Sequence, residues 1–294
     1  MRNALASTLY ALAKKDERIV VIVADISPAG AMEDFKREFP ARFINVGVAE
    51  QSMIGLAAGL AQRGFKPFCY TIATFALFRA YEFIRCDLAY QNLPVTVVGM
   101  GAGLSYSTLG GTHQAIEDVA VAMACPNLTV LAPCDPAETV ECVSWCAGRK
   151  SGGPVYMRIG KAGEPDMPRQ GRGTGWFWMH AVPYATETVI VSHGVIAAEA
   201  LTAARRLRAN AISICMLAPL PDAVVRVLGQ YENVVVIEEA SGAPLAGALR
   251  AAGLNAKSFA LPRTFPHAHG TRAKLLARAG LTADTIVTQL RGED

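Results

Sequence analysis

Three short segments carry residues whose types and spacing could do chemistry. The first runs from Val46 to Ala61 (VGVAEQSMIGLAAGLA). A strand-like stretch ends near Val48, a carboxylate follows at Glu50, and a helix rich in Gly and Ala begins. The dipole at a helix start favours an anion, and small residues let a backbone or a flat ligand approach closely. Glu50 is either a carboxylate serving such a ligand or a helix-start glutamate and nothing more. The second segment is Thr71 to Tyr81 (TIATFALFRAY), in which Phe75, Phe78 and Tyr81 can line one face of a helix start. That face is either a ligand surface or an ordinary core stripe. The third is Gly110 to Gln114 (GGTHQ), which follows the strand-like PVTVVGMGAG. On so Gly-rich a turn, His113 can reach into a cleft or serve as a structural loop histidine.

These segments need a frame. Arg18 to Ala24, Phe43 to Val48, Pro67 to Ile72, Pro94 to Met100, Leu128 to Ala132 and Val155 to Ile159 are short, apolar and rich in Val and Ile, as strands buried on both faces should be. Helical stretches alternate with them at Met32 to Glu38, Gln51 to Gln62, Leu77 to Ala89, Ile116 to Ala124 and Ala137 to Ala147, the last announced by Asp135-Pro136. Alternation of this kind predicts an α/β domain with a mostly parallel sheet. The pattern breaks after Gly160 and resumes with strands at Val189 to Ser192, Ile212 to Leu217, Val234 to Ile237 and Ser258 to Leu261. Helices are expected there at Ala197 to Ala209, Ala223 to Gln230, Leu245 to Ala252, Arg272 to Ala279 and Ala283 to Gln289. The fold class is therefore α/β with two domains, each a mostly parallel sheet flanked by helices. The expected boundaries are 1–162 for the first domain, 163–187 for an aperiodic linker of Gly, Pro, Arg and aromatic residues, and 188–294 for the second.

Composition narrows the function classes. The chain has 294 residues, 52% hydrophobic and 18% charged, with a net charge of +3 and scattered Lys and Arg. That suits a globular protein with a large core and argues against a nucleic-acid stripe or a membrane-binding face. The longest small and apolar run, Met53 to Ala61, is far short of a bilayer span. Ala4 to Ala13 behind Arg2 could imitate a secretory signal, but Lys14-Lys15-Asp16-Glu17 and a strand follow at once, so a first helix is expected. Seven cysteines without Cys-x-x-Cys spacing read as free thiols in a reducing cytoplasm, with Cys142 and Cys146 packing a helix face.

Taken in order, the segments resemble the C-terminal half of transketolases and of 1-deoxyxylulose-5-phosphate synthases. The matching landmarks are Val23-Ala24-Asp25-Ile26-Ser27-Pro28, Gly47-Val48-Ala49-Glu50-Gln51, Ala73-Thr74-Phe75 with Phe78 and Tyr81, Thr112-His113-Gln114 and Arg158. In the second domain they are Leu261-Pro262-Arg263 through His269-Gly270-Thr271, then Ala279-Gly280-Leu281. The resemblance covers nearly the whole chain and implies a pyrimidine-binding domain for thiamine diphosphate followed by a transketolase C-terminal domain. It makes Glu50 the partner of the cofactor's ring nitrogen N1′, where a shielded carboxyl can share a proton. Phe75, Phe78 and Tyr81 would stack on the pyrimidine, Asp25 and Ile26 would touch the cofactor, and His113 would hydrogen-bond substrate oxygens or move a proton. Arg2 and Arg158 match positions that hold a sugar phosphate, and guanidinium forks also suit sulfonate or carboxylate.

Departures from the family pattern carry as much information. Relatives bind Mg²⁺ and diphosphate through Gly-Asp-Gly followed by Asn, and no Gly-Asp-Gly occurs in this sequence. The resemblance then implies a split enzyme: a separate N-terminal subunit supplies that motif and the Mg²⁺, shares the cofactor and joins in an α2β2 assembly. Met1, just before the first helix, is expected to be a natural start. Substrate-reading positions differ too: Leu109 stands for an aspartate that senses a sugar hydroxyl, Gly101 for a histidine and Ala29 for a phosphate-binding serine. The expected activity is transfer of a two-carbon ketol unit from a ketose to an aldehyde, in carbohydrate metabolism, with a less hydroxylated or modified anionic substrate. The rivals are a β subunit of a 2-oxo-acid dehydrogenase or another acyloin-forming thiamine enzyme, and an inactive scaffold. The Phe75/Phe78/Tyr81 spacing and Thr112-His113-Gln114 favour transketolase over the former, and the retained Glu50 argues against the latter.

Overall fold

A computed structural model describes residues 1–26 and 30–292. Two sheets stand side by side. The first is built by β1 (Ile19–Val23), β2 (Phe43–Asn45), β3 (Lys66–Ile72), β4 (Thr96–Met100), β5 (Thr129–Leu131) and β6 (Val155–Ile159). These strands run parallel in the order β5-β6-β4-β3-β1-β2. Every residue of β1, β4 and β6 is buried, which is why they are continuous apolar runs and do not alternate. The helices that cover them are α1 (Arg2–Ala13), α2 (Ala31–Glu38), α3 (Glu50–Gln62), α4 (Ala73–Leu77), α5 (Tyr81–Phe83), α6 (Asp118–Met123) and α7 (Pro136–Gly148). A π-helical turn (Ile84–Ala89) follows α5, so the helix expected over Leu77 to Ala89 is broken into pieces. Asp135 caps α7 by accepting from the Glu138 N–H at 2.7 Å.

The second sheet has β7 (Arg172–Gly173), β8 (Trp176–His180), β9 (Thr188–Ser192), β10 (Asn210–Ile214), β12 (Asn233–Ser241) and β13 (Ala256–Leu261), in the order β13-β12-β9-β10-β8-β7. Its helices are α8 (Ala197–Leu207), α9 (Asp222–Leu228), α10 (Pro244–Ala251), α11 (Arg272–Arg278) and α12 (Ala283–Arg291). Two features depart from the expected layout. The segment expected as a linker supplies β7 and β8, an antiparallel hairpin at the sheet edge, and it buries Met167 and Phe177 in the second core. The expected single strand over Ile212 to Leu217 divides at Cys215. β10 stays in the second sheet, while β11 (Met216–Ala218) crosses to pair antiparallel with β5 of the first. One stretch of chain thus stitches the two sheets together. Among the described residues no helix is long and apolar enough to cross a membrane.

Candidate active site

The sheet order places β1 between β2 and β3, so successive crossovers leave in opposite directions and open a crevice beyond the strands' carboxyl ends. The chemistry-bearing segments gather there. Beyond β1, Asp25 sits at φ 47 and donates its N–H to Asn45 Oδ1 (3.1 Å). The same oxygen accepts from the Gly47 N–H (3.0 Å), which ties the ends of β1 and β2 together. Ile26 is half-buried against the first domain's core. Ser27, Pro28 and Ala29, which belong to the first landmark and to the expected serine position, lie outside the described residues.

Glu50 opens α3 and is only 3% exposed. Its two oxygens accept from Arg79 Nη1 at 3.1 and 3.2 Å. The Arg79 guanidinium also lies 4.1 Å from the Phe75 ring centroid. The Phe75 ring, half-exposed, meets His113 edge-on at 5.2 Å, and His113 meets Tyr106 at 5.8 Å. The turn that presents His113 is held by its own backbone and by a neighbour. The His113 N–H donates to Gly110 O (3.0 Å), and Thr74 Oγ1 donates to Thr112 O (3.0 Å). Nδ1 of His113 shares a hydrogen bond with Thr112 Oγ1 (2.9 Å), so its ring is oriented from the backbone side. Glu50, Arg79, Phe75 and His113 therefore form one continuous group.

The aromatic trio divides. Phe75 faces the cleft, whereas Phe78 and Tyr81 pack against the first core, and the Tyr81 hydroxyl donates to Val121 O (3.0 Å). Burial pushes the Tyr81 phenol up.

Two basic side chains act on Tyr106, the ring that meets His113 edge-on. Lys161, exposed, holds its Nζ 4.7 Å from the Tyr106 ring centroid. Arg2, half-buried, has an Nε that finds no partner among the described residues. Burial raises the Tyr106 phenol, and the charge of Arg2 opposes that rise. Gly101 allows this arrangement: a Cβ there would sit 2.1 Å from the Tyr106 ring, so the aromatic side chain fills the space where relatives were expected to place a histidine. Leu109 is 49% exposed at the same turn.

Arg158 corrects an expectation. It is 1% exposed inside β6. Its Nε donates to Asp118 Oδ2 (3.0 Å), and its Nη2 donates to Ala115 O (2.9 Å) and Glu239 O (2.8 Å). A strand buried on both faces has no solvent side for a guanidinium to reach. Lys161, three residues later and past the strand end, is instead exposed and stands beside Tyr106. Sequence reasoning missed both Lys161 and Arg79. The signal for Arg79 was its place four residues after Phe75, which puts its guanidinium over that ring.

Residues 1–163 match the family model of the transketolase pyrimidine-binding domain. The chain is 32% identical over its whole length to a transketolase C-terminal section from Methanocaldococcus jannaschii, and covers 96% of it. It is also 32% identical to a 6-deoxy-6-sulfo-D-fructose transketolase subunit from Clostridium sp. (strain MSTE9), over 82% of this chain and 76% of that one. A solved split-gene transketolase, an inactive β4 tetramer, superposes with a TM-score of 0.84 at 31% identity, covering 99% of this chain and 96% of the other. The chain belongs to the transketolase family of thiamine-diphosphate enzymes, as a C-terminal section that carries the pyrimidine-binding domain.

Proposed function

We propose that this chain is the C-terminal subunit of a split transketolase-type transferase that moves a two-carbon ketol unit from an anionic ketose to an aldehyde. The observation that carries the reading is Glu50: a carboxylate 3% exposed, at the carboxyl ends of parallel strands, beside a half-open aromatic ring and a histidine. These residues fit an aminopyrimidine. Glu50 offers a shielded carboxyl that can share a proton with a ring nitrogen, and Phe75 offers a flat face. Where a Cβ on Gly47 would point there is open space within 4 Å. In this chain Arg79 holds both positions, and its side chain is 45% exposed, so it is free to swing outward and yield them.

When bound, thiamine diphosphate supplies the carbon nucleophile that takes up the two-carbon unit. Glu50 holds a proton against N1′ of the pyrimidine, and exclusion of water strengthens that bond. Phe75 supports the ring's face, Phe78 and Tyr81 support it from the core side, and Asp25 and Ile26 border it at the end of β1. His113 binds substrate oxygens or moves a proton at them, while Arg2 and Lys161 hold the anionic end. Leu109 leaves one sugar hydroxyl without a polar partner, which removes selectivity for that hydroxyl and suits a deoxy or modified sugar.

The diphosphate and Mg²⁺ fall to a partner chain with Gly-Asp-Gly, in an α2β2 assembly within a reducing cytoplasm. All seven cysteines here are free thiols, which fits that setting. The test is to combine the chain with a candidate partner and measure ketol transfer and cofactor binding with and without it. Activity and cofactor binding are expected only from the pair. Full activity from this chain alone would overturn the split-subunit reading. A large preference for xylulose 5-phosphate with ribose 5-phosphate would overturn the substrate reading.

A further inference from the structure

The loop that presents His113 is fastened from the second domain. Ala102 and Ala115 form an isolated parallel bridge, and the Gly103 N–H donates to Ala115 O (2.9 Å), so residues 103–114 close on themselves. The base of this loop sits on β12. Glu239 Oε1 accepts the Leu104 N–H at 2.6 Å, and the Ser241 N–H donates to Ile116 O at 2.6 Å. Arg158 Nη2 bridges Ala115 O and Glu239 O. Glu239 is 1% exposed and is gripped from behind by Arg272, whose Nε donates at 3.2 and 3.1 Å and whose Nη2 meets Oε2. Arg272 also donates to Val195 O (3.1 Å), which anchors it in the second domain. Gly103, at φ +57, has the Glu239 carboxylate 2.6 Å from where a Cβ would stand, so carboxylate and loop backbone meet with no side chain between them.

A buried ion pair is a poor stability device, because desolvating both charges offsets most of their attraction. A buried carboxylate aimed at one loop amide does something an apolar pair cannot: it fixes where that amide stands. We infer that Glu239 is a positioning residue for the reaction. Backed by Arg272, it sets the place of the His113 turn against Phe75, so the second domain shapes substrate binding without touching substrate. The inference rests on the transketolase-type reading for the part His113 plays.

The experiment uses the full chain in two arms. In the first, hydrogen exchange of the chain alone is compared between wild type, Glu239→Gln and Arg272→Lys. The Leu104 amide and the 104–114 peptides should exchange about tenfold faster or more in Glu239→Gln, and less so in Arg272→Lys, while residues 50–62 change less than about twofold. In the second arm, each variant is assayed with a partner chain that supports ketol transfer. The sugar KM should rise about tenfold with cofactor affinity unchanged, and the effect should vanish in a His113→Ala background, since coupled residues are not additive. If Glu239→Gln does not fold, Arg272→Met at the less buried partner serves instead. A uniform rise in exchange across all segments would reduce the pair to plain stability and overturn the inference. So would a loss in kcat/KM that persists undiminished without His113. If the unsubstituted assembly shows no ketol transfer, the functional reading fails, and the exchange arm still decides whether Glu239 holds the loop.

Discussion

The cleft edge and the seam between the sheets both bury carboxylates against arginines, yet they satisfy them differently. At the seam, Asp118 accepts from Arg158 and from the Tyr156 hydroxyl, Asp135 accepts from Arg169 and from two backbone amides, and Glu239 accepts from Arg272 and the Leu104 amide. At the cleft, Glu50 accepts from Arg79 alone among the described residues, and Arg79 is 45% exposed. Each seam carboxylate thus has a second donor besides its arginine, the Tyr156 hydroxyl or a backbone amide, which fixes it as structural. A carboxylate held by a single hinged arginine can exchange that partner for a ligand. This difference separates Glu50 from its seam counterparts, although all are buried.

Replacement of Glu50 should have the largest effect. Glu50→Gln should lower ketol transfer by the partnered enzyme roughly 10²- to 10⁴-fold, since an amide cannot pass a proton to N1′. The melting temperature should stay close to wild type, because the lost ion pair is hinged on an exposed arginine. Turnover within about twofold of wild type would remove Glu50 from the chemistry.

The seam should respond in the opposite way. Asp118→Ala strands the Arg158 guanidinium in an interior that cannot solvate it, and should cost about 3–5 kcal/mol of stability. Lys161→Ala, beside Tyr106, should leave denaturant unfolding unchanged and raise the KM for an anionic sugar about tenfold, as loss of one charge-assisted contact does. Equal stability losses from the two substitutions would dissolve the distinction between them.

Glu138 sharpens the same contrast through pH. Burial pushes its carboxyl up to about 7, although the Cys134 N–H donates to it at 2.8 Å. Its folded pKa lies above the unfolded value, so the folded state holds the extra proton. The stability this contributes is complete below the unfolded pKa and is lost as pH rises through about 7. Glu138→Gln should therefore be more stable than wild type at pH 8 by about 3 kcal/mol and lose that advantage near pH 4. Parallel stability curves for the two proteins across that range would contradict the assignment.

Most of the fold was legible because parallel strands buried on both faces leave long apolar runs, and Asp135-Pro136 marked a capped helix start. The hairpin of β7 and β8 was not. Trp176, Phe177 and Trp178 follow one another among glycines, so no period announces a strand, and their pairing with β10 depends on residues 30 and more positions away. β11 was hidden because its partner, β5, lies in the other sheet. Glu50 and His113 could be singled out because one follows a strand-like run at a helix start and the other stands on a Gly-rich turn in the loop after a strand-like run. Arg158 misled because a charged side chain in a strand does not reveal that both faces are covered. Its confinement follows from β6 being buried at every residue, a fact of tertiary packing. Phe78 and Tyr81 show the same limit: a spacing of three specifies a shared face without saying whether core or cleft meets it.

The smallest effect belongs to Arg79. Its ion pair with Glu50 is half open to solvent, and such pairs contribute about 0–1 kcal/mol. Its stacking on Phe75 adds about 0.5–1 kcal/mol at an exposed site. Arg79→Ala should therefore cost no more than about 2 kcal/mol in unfolding. The same substitution clears both the Glu50 oxygens and the Phe75 face, the two groups proposed to meet the pyrimidine. Cofactor affinity of the partnered enzyme should accordingly rise a few-fold, by about the free energy no longer needed to displace the guanidinium. Calorimetric titration of thiamine diphosphate into wild type and variant reads this directly. Weaker binding in Arg79→Ala would mean that the guanidinium stays in the occupied site as a ligand-holding group, and Glu50 would then be a fixed pair like those of the seam.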